Sequence, residues 1–161
     1  MKNIWVFIAF FFISGQLRGQ QDNQINKLLI ESILLYSDYD ADLYSKVCKN
    51  CGIYTLPYVC KDGLPIDFPY DSLQHISFFT LYNIEGYPNS FKKKLKNGIS
   101  AWFVEIKLTN NLLDITVSSR NVKRIKKNHI GISIGDWGIF TYEYSCKNQQ
   151  WSLVETKYGG T

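Results

Sequence analysis

Hydrophobic and polar positions alternate strictly from Trp102 to Leu108: Trp102, Val104, Ile106 and Leu108 on one side, Phe103, Glu105 and Lys107 on the other. A period of two is the mark of a strand with one buried and one wet face. Asn110 and Asn111 supply a turn, and the alternation resumes with Leu113, Ile115 and Val117 against Asp114, Thr116 and Ser118. Ile130, Ile132 and Ile134 are expected to form a third inward row. The glycine-flanked Gly135-Asp136-Trp137-Gly138 reads as a turn. A last strand pair, Ile139 to Cys146 and Trp151 to Tyr158, closes through the polar Lys147-Asn148-Gln149 segment. Residues 99–158 therefore predict an antiparallel meander. Phe140, Tyr142 and Tyr144 fall opposite Ile139 and Thr141, as aromatics exposed on a second face that call for a dimer or a two-sided core.

Ahead of the meander the period changes. Ile25, Leu28, Leu29, Ile33 and Leu35 with Tyr36 recur every three or four residues, so 24–36 predicts an amphipathic helix that covers the sheet's apolar face. Residues 53–90 are the least regular. Tyr54 to Val59 reads as a short edge strand because of Pro57, and Ile76 to Tyr82 is strand-prone. Gly86 to Ser90 breaks the chain before a short helical turn at 91–96. An aromatic, proline-bearing connection of this length is a natural place for a binding surface.

The first residues follow neither period. One lysine, Lys2, precedes an apolar run from Ile4 to Ser14 and a small, polar stretch ending at Gln20. The run is about half the ~20 apolar residues a spanning helix needs, so residues 1–19 are read as a secretory signal peptide, cut at Gly19/Gln20 or Gly15/Gln16. Residues 20–161 form a single α+β domain of ordinary size. The chain is thus expected to be secreted or periplasmic, with no stable membrane span after cleavage.

That compartment colours the cysteines. Cys48, Cys51, Cys60 and Cys146 are disulfide candidates, with three connectivities open. A redox role is disfavoured because the Cys48–Cys51 pair follows a helix and runs into Gly52. A zinc site normally shows two close cysteine pairs, and this chain has one. The aspartates 38, 40 and 42 alternate as in a calcium loop, but the required glycine and glutamate are Leu43 and Lys49. Ser37 or Asp38 is instead expected to cap a second helical turn. No metal and no cofactor is expected.

Charge is unevenly placed. Residues 20–90 hold nine acids and four bases, a net of −5; residues 91–161 hold twelve bases and five acids, a net of +7. The excess sits in two clusters, Lys92, Lys93, Lys94 and Lys96, then Arg120, Lys123, Arg124, Lys126 and Lys127. If the two segments meet in space they make an anion-attracting surface. Otherwise they are solvated connections that keep sheet edges from pairing. Nucleic acid is a poor partner for an exported protein, so the ligand of such a surface would be an acidic polysaccharide or a membrane.

No catalytic motif is present: no nucleophile elbow, zinc-binding His-Glu-x-x-His, phosphate loop or dinucleotide fingerprint. His75 and His129 lie in no recognisable setting, and Glu105, Asp114 and Glu143 are more simply outward residues of a polar row. The order of elements, one long helix, an irregular middle and a meander ending in a Trp-bearing hairpin, is similar in outline over residues 24–158 to the nuclear-transport-factor-like and cystatin-like folds, in which a curved sheet wraps a helix. No motif is shared, so the resemblance implies an open sheet of five or six strands rather than a closed barrel, and transfers no functional residue. The reading is a secreted binding or interaction module without catalysis, its ligand or protein partner and oligomeric state unknown. The alternatives are a small hydrolase or lyase using a cavity of the sheet, and a binder of anionic polymers or membrane surfaces.

Overall fold

A computed structural model describes residues 4–47, 54–55, 57–126 and 129–160, with the backbone alone for 4–23. Helix α1 spans Ile4–Val47, and strands β1 (Tyr58–Cys60) and β2 (Ser77–Phe79) follow it. Helix α2 (Asn89–Asn97) then leads into the meander β3 (Ile99–Thr109), β4 (Leu112–Lys126), β5 (His129–Ser145) and β6 (Gln150–Gly159). The strands form one open sheet in the order β2-β1-β3-β4-β5-β6, so β2 and β6 are its edges. The meander pairs are antiparallel, while β1 runs parallel to both β2 and β3. The fold is α+β, a helix packed on a mostly antiparallel sheet, as the two hydrophobic periods predict. Contrary to expectation, β1 is an inner strand; Pro57 lies one residue outside it and removes no ladder hydrogen bond.

The helical stripe buries Leu28, Leu29, Ile33 and Tyr36 against Trp102, Val104, Leu113, Ile115, Val117, Phe140 and Tyr142. Ser37 and Asp38 cap nothing, because α1 runs on through them. The stripe itself continues at Tyr39, which stacks on Tyr158 with ring centroids 4.1 Å apart, and neither glycine nor proline interrupts the segment. Gly63 brings the 61–76 connection so close to β3 that an added Cβ would stand 2.0 Å from the Val104 carbonyl oxygen. Phe68 and Leu73 of that connection complete the core.

Two expectations about β5 are corrected. Gly135 to Gly138 is not a turn but part of the strand. Ser118 pairs with Trp137 and Arg120 with Ile134, so two steps along β4 match three along β5. This bulge shifts the alternation by one residue. Phe140 and Tyr142 consequently face α1 and are 0% and 1% exposed, not open to a partner, with Tyr142 Oη 3.0 Å from Ser32 Oγ. Ile130, Ile132 and Ile134 turn to the opposite face, where Ile132 is 42% and Ile134 68% exposed.

That opposite face has its own core. Leu95 of α2 packs with Cys60, Phe79, Ile84, Ile99, Ala101 and Val122, and Ile130 lies partly buried beside them. The two helices thus cover opposite faces of one sheet.

Candidate anion-binding face

Helix α2 starts just after Pro88, whose φ of −56° suits a helix entry. It stops at Gly98, whose φ of +100° only glycine adopts freely and whose N–H donates back to Lys94 O and Leu95 O. Leu95 is its one fully buried residue. Phe91 adds ring contacts to Tyr58 and Tyr87, with centroids 5.2 and 4.7 Å apart. These anchors set the lysines of α2 beside the second half of β4.

The two basic clusters therefore meet, and they meet at an acid. Glu85, in the 3-10 turn Ile84–Gly86 ahead of α2, accepts a hydrogen bond of 2.7 Å from Arg124 Nη2 and stands 4.0 Å from Lys92 Nζ. Arg120 lies on the same face, 2.7 Å from Glu105 and 4.7 Å over the Phe103 ring, with its Nε donating to Ser118 Oγ at 3.1 Å. Lys94 donates to Tyr58 Oη at 3.1 Å, while Lys93, Lys96 and Lys126 are exposed. Strand alternation sends Lys123 to the other face, so it leaves the cluster. Lys127 lies outside the described residues. Counting Glu85 and Glu105 against Lys92, Lys93, Lys94, Lys96, Arg120 and Arg124, these groups keep a clear positive excess; the register shift after Arg124 takes Lys126 out of the row. The uncovered end of the face carries Ile132 and Ile134.

The remaining sequence candidates do not converge. His75 and His129 are exposed and lie at distant points of the sheet. Glu105, Asp114 and Glu143 each take a separate partner: Arg120, the Thr141 hydroxyl at 2.7 Å and the Asn111 amide at 2.9 Å. Among the described residues no three metal-ligating side chains come together. Of the four disulfide candidates, Cys60 and Cys146 form no bridge with each other. Both are free thiols, one buried beside β2 and one exposed past β5 on the far side of the sheet; Cys48 and Cys51 lie outside the described residues.

A second polar constellation, which periodicity did not single out, sits at the C-terminal half of α1. Tyr54 Oη donates to Asp40 Oδ2 at 2.7 Å, and Tyr36 Oη donates to the Asp136 carbonyl at 2.9 Å. Trp102, edge-on to Tyr36 at 5.5 Å, turns its buried Nε1 toward Asp40 but completes no hydrogen bond. Burial raises the Asp40 carboxyl above its ordinary range, against the opposing effect of the Tyr54 hydroxyl. Burial likewise raises the Tyr36 and Tyr54 hydroxyls. This cluster ties α1 to the bulge and to the segment before β1. In sequence its only trace is the alternation of tyrosine and aspartate from Tyr36 to Asp42.

The fold and site define a two-faced α+β open sheet with a cationic face. No protein-family model matches the chain, and neither does any curated protein or solved structure. Among the described residues no helix is long and apolar enough to cross a membrane.

Proposed function

We propose that the chain is an exported binding module that adheres to an anionic membrane surface through the face built by α2 and β4. The observation that carries this reading is the convergence of Lys92 and Arg124, 32 positions apart in the chain, on the single carboxylate of Glu85. Exposed lysines on a helix and exposed isoleucines on the neighbouring strand suit an interface of anionic headgroups over hydrocarbon better than a purely polar polymer. The Lys2, apolar run and Gly15-to-Gln20 pattern supports export to where such a surface is met.

Co-sedimentation with vesicles tests it. The protein is expected to bind phosphatidylcholine vesicles only when they contain phosphatidylglycerol. Binding should fall steeply as salt shortens the screening length from about 8 Å near 0.15 M to about 3 Å at 1 M. Lys93→Gln with Lys96→Gln should weaken it roughly 25-fold, at about 1 kcal/mol per basic residue near the surface. Equal binding to neutral vesicles, or no response to salt, refutes the reading; retention on heparin without vesicle binding replaces the lipid by an acidic polymer.

A further inference from the structure

We infer that Glu85 occupies the seat of a phosphate group, and that a phosphoryl ligand binds the α2 face by displacing its carboxylate from Arg124 and Lys92. For a lipid headgroup this rests on the membrane reading above; for a free phosphate it does not.

The two cations come from separate elements and aim at one point. Their side chains are largely withdrawn from water, 19% exposed for Arg124 and 24% for Lys92, whereas Glu85 is 52% exposed. One carboxylate is shared by two cations in a partly desolvated setting, where an anion of higher charge is favoured. A guanidinium presents paired N–H groups that match phosphate as well as carboxylate, and an ammonium adds a point charge.

Glu85 can leave without unfolding anything. Its turn is held by Ile84, which is buried in the core under α2, while the Glu85 side chain is half-exposed beyond its contacts to Arg124 and Lys92. Beside it opens a cavity of about 240 Å³ lined by Leu81, Tyr82, Asn83, Ile84 and Ile130, with Arg124 and Glu85 contributing the charged part. A charged mouth over a wall of mixed polarity accommodates a phosphate carried on a larger, partly apolar body; inorganic phosphate would fill the mouth alone.

The same face supplies an internal control. Glu105 pairs with Arg120 at the same 2.7 Å, but one cation meets it there, stacked on Phe103. Glu85→Gln and Glu105→Gln therefore remove the same charge from the same face, and only Glu85→Gln takes the competing carboxylate charge out of the proposed seat.

The experiment compares the purified protein with Glu85→Gln and Glu105→Gln by two probes. One is inorganic phosphate, titrated at constant ionic strength and followed by amide NMR shifts over residues 81–86. The other is sedimentation with phosphatidylglycerol vesicles. Glu85→Gln is expected to tighten binding about fivefold more than Glu105→Gln, the size of one partly exposed ion pair that no longer has to be broken. Phosphate binding enhanced in Glu85→Gln without vesicle binding by any form supports the seat and rejects the membrane. Vesicle binding changed equally by both substitutions, with no saturable phosphate shifts at 81–86, keeps the membrane and overturns the seat. Binding of neither probe rejects both.

Discussion

Replacing Leu95 by alanine tests whether the cationic face exists only because α2 is docked. Leu95 is fully buried in the core between α2 and the sheet. Leu→Ala changes at such sites cost about 3–5 kcal/mol, made up of lost transfer free energy and the cavity left behind. The lower end applies here, because a helix that lies on one side of the sheet can settle into part of the space. A nine-residue helix has no stability of its own, and Phe91 is the main apolar contact left to hold it. The loss of about 3 kcal/mol should therefore appear as local opening of α2 ahead of the sheet. Amide hydrogen exchange at Lys94–Asn97 should speed up roughly a hundredfold, while amides of β4 and β5 opposite α1 keep their protection. The Lys92–Glu85 contact would be lost at the same time. If the α2 amides stay protected and the unfolding free energy from urea melts falls by less than about 1 kcal/mol, α2 is held by something other than Leu95, and the account of the face is wrong.

Two further predictions concern the other face and the thiols. The Asp40 carboxyl is raised in the folded state, chiefly by burial, above the ordinary 3.8. The folded protein therefore binds that proton more readily than the unfolded chain, so the contribution of Asp40 is most favourable below the unfolded value and is lost as pH rises through the folded one. Relative to Asp40→Asn, whose amide oxygen can still accept from Tyr54, the protein should gain stability between pH 7 and pH 4; urea melts showing a relative loss over that range would refute this. With iodoacetamide at pH 8, peptide-level mass spectrometry should find Cys146 alkylated and Cys60 protected. Cys60 is 1% exposed and its thiol is pushed up to about 11, first by burial, and equal labelling of the two would overturn its placement.

Much of this architecture is legible in residue order, and what was misread has specific causes. The alternation at Trp102–Leu108 and Leu113–Val117 and the three-to-four spacing from Ile25 to Tyr36 report local backbone geometry, so they identify β3, β4 and α1 directly. Asn110 and Gln149, with φ of 55° and 52°, likewise sit in the two hairpin turns that the polar residues mark. The bulge at Ser118–Arg120 has no such signature. An extra residue in β5 keeps the period of two on both sides and only exchanges the faces, so unbroken alternation puts the isoleucine row and the Phe140–Tyr142 row each on the wrong one. The long continuation of α1 is hidden in the sequence because Ser37 and Asp38 favour a cap locally, while Tyr39 and Tyr158 meet only in three dimensions.

The candidate site divides in the same way. Composition and charge order alone determined that this chain has an acidic first part, a basic second part, an apolar leader-like start and helix-then-meander elements, because each is a property of neighbours along the backbone. Tertiary structure alone decided that Lys92 and Arg124 share Glu85 and that Cys60 and Cys146 lie too far apart to bond. Those outcomes depend on how α2 and β4 pack, and a contact such as Arg124–Glu85, between residues 39 positions apart, leaves no trace in a local pattern.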